Sequence, residues 1–495
     1  MRTLSHSRAS ASAPSASIDR DDGDRSDAGN ASRFGTLASP RPRSVAIVGG
    51  GLSGTVVALT ILETCPDVAR VHLIERTVGN EGRGLAYARR FVHQPLNVVA
   101  ARMSLRLDRP DDFVRWLRLH FGRRFSPDDF VSRKLFGDYA TDALAECSDG
   151  PGRGRLSVVH DEALAILPGH DARYRIELRS GATLDADWVV LALGNSPPSD
   201  LDIPNRAFLA SPFYASNPWD DSATADLEPN DPVAFVGAGL TMIDLAIALE
   251  LRGHRGVIHA ISRHGLLPQV HRATPPRAMA APSGTRELRA LELYRWVRRE
   301  VDAARLEGGS WRSVIDGLRE LTPELWSRMP VVERRRFVRH MRPYWEVHRH
   351  RMPPESASLI ADLRFSGRLR LIAGRVLDVE VESGLARVDF RRRGRSTVEC
   401  VQVRKVVNCT GPECGSRRLD GPLMAQLLGK GWLAPDELLL GIRTDPDGTV
   451  INANGARIPG LVAIGALRKG TLWESTALAE IRKQAEALVL QIAEA

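Results

Sequence analysis

The feature that most restricts this chain is one local pattern met twice: an apolar strand, a glycine turn, an apolar helix and a second strand. In the first copy, residues 45–48 run into Gly49, Gly51 and Gly54, spaced G-x-G-x-x-G, and residues 55–63 continue as a helix. A strand fed into a helix through such a turn is the opening of a parallel, doubly wound α/β unit. One glycine makes the tight turn, the next lets backbone approach a pyrophosphate, and the third lets helix pack on strand. The helix start offers free N–H groups and the positive end of its dipole to phosphate. Residues 71–74 form the next strand and end at Glu75, a carboxylate placed to accept both ribose hydroxyls.

The second copy runs through residues 233–236, Gly237, Gly239 and a helix over residues 240–251, with Met242 in place of the third glycine. Its following strand, residues 257–261, leads to Arg263, at the same sequence distance from Gly237 as Glu75 is from Gly49. An acid closes the first site and a base the second. An arginine there pairs with a 2′-phosphate, which favours NADPH over NADH. Each copy has a similar tail: alternating strands, then an apolar strand ending in Leu193-Gly194 in one and Thr410-Gly411 in the other. A duplicated cofactor-binding unit explains this better than two chance glycine motifs do.

The expected fold is therefore α/β, with two Rossmann-type, three-layer dinucleotide-binding domains carrying β-meander inserts. Residues 41–230 would form the first part of an FAD-binding domain, 231–405 an NAD(P)-binding domain, and 406–495 a return to the first. Residues 285–355 read as an arginine- and tryptophan-rich α-helical insertion over the cleft. Within it, His348 and Arg351 are the candidates for holding an anionic substrate or moving a proton. Residues 1–40 hold almost no large apolar side chains and read as a disordered tail.

Composition excludes several classes. The net charge of +8 comes from scattered arginines without a nucleic-acid-binding module. The longest apolar run, residues 44–62, is broken by the glycine cluster and reads as a buried βα unit rather than a membrane span. Five cysteines, Cys65, Cys147, Cys400, Cys409 and Cys414, are odd in number and scattered, which argues for a reducing, cytoplasmic setting. Cys409 and Cys414 have a C-x-x-x-x-C spacing, but too late in the chain for a flavin-linked redox pair. No His or Cys spacing suggests a metal.

Gly82-Arg83-Gly84-Leu85-Ala86-Tyr87, Pro95-Leu96-Asn97-Val98, Gly239-Leu240-Thr241-Met242-Ile243-Asp244 and Gly470-Thr471-Leu472-Trp473-Glu474-Ser475 occur in order. Together they resemble a bacterial FAD/NAD(P)-binding flavoprotein family of two-dinucleotide type, which includes a kind of FAD-dependent urate hydroxylase. The resemblance implies FAD, reduced by NADPH or NADH, and molecular oxygen as co-substrate. It implies hydroxylation of a small electron-rich ring, most specifically urate to 5-hydroxyisourate. A flavin reductase without oxygen insertion, or a non-catalytic flavin sensor, remain the alternatives. It also places Asn97, Gly465 and Trp473 among the cofactor-binding residues. Ala466 departs from the Gly-Asp commonly found where the last strand meets the flavin.

Overall fold

Side chains alternate across a strand, so a strand that is apolar at every position must be covered on both faces. Val45 and Ile47 enter a core shared with the helix Leu52–Thr64, while Ala46 and Val48 enter a second core on the opposite face. That arrangement is a three-layer sandwich. The computed structural model describes residues 43–88, 90, 92–170, 173–283, 287–412 and 421–495. The expected tail, residues 1–40, and Cys414 lie outside the described residues.

The first sheet has the order Thr449–Ile451, Arg457–Ala463, Trp188–Leu191, Arg43–Val48, Val68–Ile74, Leu156–Val159. All its neighbours are parallel except the antiparallel edge strand Thr449–Ile451. Helices Leu52–Thr64, Arg133–Asp149 and Leu478–Glu494 contribute to the core on one face. The antiparallel meander Ala163–Pro168, Tyr174–Leu178, Thr183–Ala186 and the helix Pro422–Gly429 cover the other.

The second sheet has the order Val398–Val403, Leu385–Arg392, Leu369–Glu382, Ile258–Ser262, Val233–Val236, Lys405–Asn408, Tyr214–Ala215. Its meander is continuous with the parallel strands, because Leu369–Glu382 is long enough to serve both. Strand Lys405–Asn408 pairs with Val233–Val236 and so belongs to this second sheet. The return to the first sheet thus comes after residue 408, not at 406, and Tyr214–Ala215 joins the second sheet before residue 231. Strand order reverses in both halves beside the glycine turn, between Arg43–Val48 and Trp188–Leu191 in one and between Val233–Val236 and Lys405–Asn408 in the other. The crevice beyond the carboxyl ends of such strands is where ligands bind in open α/β sheets.

The insertion is helical as expected: Ala290–Leu306, Trp311–Ser327, Val331–Arg336, a π-helical turn Phe337–Met341, and Arg342–Arg349. Its apolar faces share a core with Leu440 and Trp473 from the C-terminal segment. Among the described residues, no helix is long and apolar enough to cross a membrane.

Candidate functional site

Both glycine turns are set by close approach of backbone to backbone. Gly49 takes φ +107°, and a Cβ there would lie 2.9 Å from the carbonyl carbon of Ala192 and closer to its oxygen. Gly237 takes φ +119°, and its Cβ would lie 2.5 Å from the carbonyl carbon of Cys409, again with the oxygen nearer. The two sites thus repeat one steric device, the turn of one strand pressed against the end of its neighbour. Gly54 packs its helix on the carbonyl of Gly49. At the equivalent place Met242 is fully buried in the core beside Phe235, so the second helix packs through a side chain.

The cradle fits a dinucleotide. Both helices, Leu52–Thr64 and Leu240–Leu251, start at a glycine with no side-chain cap and no acid in the first turn, leaving N–H groups for phosphate. Glu75 is buried, accepting from the Gly50 N–H at 3.0 Å and the Thr77 N–H at 3.0 Å, so its carboxylate is fixed at the strand end. Gly84 lies against Gly51, which brings the Gly82–Tyr87 motif onto the turn. Gly465, at φ +73°, faces Ser53 in the first turn of the helix, and its N–H donates to Gln484 Oε1. Around Gly194, Gly239 and Gly411 a Cβ would meet nothing within 4 Å among the described residues, so backbone there borders open space.

Arg263 is exposed at the end of Ile258–Ser262. The structure adds a basic neighbour that the sequence reading missed, Arg393. Arg393 Nη1 stands 3.2 Å from His264 Nδ1, and burial together with Arg393 and Arg263 holds that imidazole below its ordinary pKa. Arg393 arrives because the meander turns back beside Ala373, whose carbonyl accepts from the Arg393 N–H at 2.8 Å. No local motif announces that pairing.

A cavity of about 640 Å³ opens between the halves and the insertion, within the range of small-molecule sites. Its walls are the segment at Asn97–Met103, the loop at His271–Met279, one face of Trp311–Ser327, residues Arg349–Arg351 and the start of helix Leu478–Glu494. That last helix begins at Leu478 and has no side-chain cap. Arg319 clamps its Glu480 through two bonds of 2.5 and 2.8 Å, tying the insertion to the C-terminal helix.

Of the two catalytic candidates, Arg351 lines the cavity and His348 does not. Arg351 is 5% exposed and paired with Asp316, yet its Nε and Nη1 have no partner among the described residues. Arg482 donates to the Ser104 carbonyl at 2.9 Å, and its buried Nε is likewise without a partner. Two guanidinium groups therefore bring spare donors to this wall. His348 is turned away, its Nδ1 on the Tyr344 carbonyl at 2.7 Å and its ring edge-on to Trp311. The imidazoles that do reach the cavity are His271 and His350. Asn97 also lines it, whereas Trp473 lies in the aromatic core, stacked on Trp326 at 4.9 Å. Among the described residues no cluster of three metal-ligating side chains occurs.

The halves are tied by an ion pair of 3.2 Å between Arg133, at the start of Arg133–Asp149, and Asp244, on the helix behind the second glycine turn.

Comparison with known proteins bears on this geometry. Residues 46–196 match a family model described as FAD-NAD(P)-binding. An L-aspartate N-monooxygenase (nitrosuccinate-forming) of Streptomyces davaonensis is 28% identical over 172 residues, 32% of this chain and 26% of that protein. The alignment thus spans about a quarter of that relative's length. In fold, the chain resembles the ornithine N-hydroxylase of Kutzneria sp. 744 (TM-score 0.61, 18% identity, 91% of this chain and 99% of that one). It also resembles the cadaverine monooxygenase of Erwinia amylovora (TM-score 0.62, 13% identity, 91% and 94%).

Proposed function

We propose that this protein is an FAD- and NADPH-dependent monooxygenase that N-hydroxylates a small amine carrying a carboxylate. The observation that carries the reading is the cavity edged by Arg351 and Arg482, in a chain whose two glycine turns are built to the same steric plan. The relatives named above act on amines, and one of them on aspartate. They lend no support to the urate reading, which gives way to an amine.

FAD, when bound and reduced by NADPH, supplies the activated oxygen. The protein's own part is holding and excluding. The N–H groups at the start of Leu52–Thr64 and the fixed Glu75 would hold the FAD pyrophosphate and ribose. The start of Leu240–Leu251 would hold the NADPH pyrophosphate, and Arg263 with Arg393 its 2′-phosphate. Arg351, kept in place by Asp316, and Arg482 would orient the carboxylate, leaving the amine toward the Asn97 wall. The insertion roofs the cavity against water.

The test is NADPH and oxygen consumption by the FAD-loaded protein with L-aspartate, L-ornithine, L-lysine, cadaverine and urate, with hydroxylated product measured. Stimulation and product are expected from a carboxylated amine and not from cadaverine. Product from urate alone would reverse the substrate assignment, and NADPH oxidation without product from any compound would make the protein a reductase.

A further inference from the structure

We propose that His271 is the catalytic base that takes a proton from the substrate ammonium before its nitrogen is oxygenated. The inference rests on the amine N-hydroxylase reading above. An ammonium has no lone pair, so an N–O bond cannot form until one proton has left. Overall, R–NH3+ + O2 + NADPH gives R–NHOH + NADP+ + H2O. The nitrogen lone pair forms the N–O bond, the O–O bond breaks, and NADPH gives up two electrons. The proton lent to His271 ends in the water.

Elimination among the cavity's side chains leads to this residue. Its arginines are donors only. Asp316 is engaged by Arg351. Glu320 is exposed and held by Lys483 at 2.6 Å. His350 is engaged by Glu346, its Nε2 lying 3.2 Å from Oε2. His271 is what remains, and among the described residues no side chain takes a hydrogen bond from its ring. Its backbone is fixed instead, with its N–H donating to the Met352 carbonyl at 2.8 Å, and its ring stands edge-on to Phe130 with centroids 5.0 Å apart. The parallel bridge between Val270 and Met352 ties this loop to the residue that follows Arg351.

The electrostatics run the same way. Burial, then Arg351, Arg102 and Arg312, depress the His271 pKa, and Asp316 is the one acid opposing them. Burial, and three guanidinium groups against one carboxylate, favour the unprotonated imidazole. The same field disfavours the ammonium form of a bound amine, so donor and acceptor are both prepared for the transfer.

His271→Asn and His271→Gln, assayed with L-aspartate from pH 6 to 9.5, test this. In the wild type, hydroxylamine formation should be nearly flat above pH 7. In the variants it should fall by about 10²-fold at pH 7 and climb about tenfold per pH unit toward the wild-type value as free amine accumulates. A pH-independent loss in both variants, or an unchanged profile, overturns the proposal while leaving the N-hydroxylase reading intact. A wild type that makes no hydroxylamine from L-aspartate, L-ornithine or L-lysine overturns both. A readout free of turnover is the NMR signal of the His271 imidazole in the FAD-loaded wild type. It should report a neutral ring at pH 7 and move when succinate, a non-reacting dicarboxylate, is added. A ring that is charged at pH 7, or that ignores succinate, also overturns it.

Discussion

Replacing Gly237 and Gly239 separately by alanine divides the steric work of the second glycine turn from its ligand work. At Gly237 the φ of +119° is unfavourable for any side chain, by about 1–2 kcal/mol. The new Cβ would stand 2.5 Å from the Cys409 carbonyl carbon, where carbon–carbon contact needs about 3.5 Å, so the strand ends would have to part by about 1 Å. Strain and lost packing together should remove about 3 kcal/mol, or about 3 °C of melting temperature in a chain of this size. Gly239 differs: its φ is −83° and a Cβ would meet nothing within 4 Å. Gly239→Ala should therefore melt within about 1–2 °C of the wild type. If that open space is where the NADPH pyrophosphate lies, the methyl group occupies ligand volume, and the variant should bind NADPH at least about tenfold more weakly, a change of about 1.4 kcal/mol. Differential scanning fluorimetry gives the first comparison, and stopped-flow reduction of the FAD-loaded protein against NADPH concentration gives the second. A Gly239→Ala protein with wild-type NADPH affinity would refute the assignment of that space to the cofactor. A Gly237→Ala protein with wild-type stability would refute the steric account of the turn.

Other outcomes follow from the same structure. Glu75→Ala frees the Gly50 and Thr77 N–H groups and removes the ribose acceptor, so FAD should bind about tenfold or more weakly; equilibrium dialysis showing unchanged FAD retention would contradict this. Arg393→Ala should lower kcat/KM for NADPH by about 10–100-fold while leaving NADH nearly unaffected, and equal losses with both cofactors would place Arg393 outside the 2′-phosphate site. Burial pushes the Asp244 carboxyl up to about 6 despite Arg133 beside it. The folded chain then holds a proton that the unfolded chain has lost between about pH 4 and 6, so stability falls as pH rises through that window. Asp244→Asn should flatten that part of the profile by up to about 3 kcal/mol, and denaturant melts at pH 4, 5 and 6 with an unchanged slope would count against it.

The glycine turns were legible because their information is local. Gly49, Gly51, Gly54, Gly237 and Gly239 mark themselves by spacing and by the apolar strand before them, and the structure gives a steric reason for all but Gly239, which borders open space. Glu75 could be found for the same reason, since a strand of fixed rise delivers its last residue to a known place. The cavity was less legible. Arg351 was singled out from a basic run, but its neighbour His348 came with it, because sequence alone does not say which face of Arg342–Arg349 turns toward Trp311 and which toward the cavity. His271, Arg393 and Arg482 carry no motif and were missed.

What the sequence determined by itself is therefore the repeated unit: strand, glycine turn, helix and closing charge, each a matter of backbone sterics and periodicity within some thirty residues, or about the span of one βαβ unit. What the tertiary structure decided is the assembly of distant pieces. It joined Lys405–Asn408 to the second sheet, folded the meander back so that Arg393 meets His264, and brought Asn97, His271, Arg351 and Arg482 around one cavity. Those outcomes depend on which apolar faces bury one another across hundreds of residues, and that choice is made by packing of the whole chain rather than by any segment's own preference.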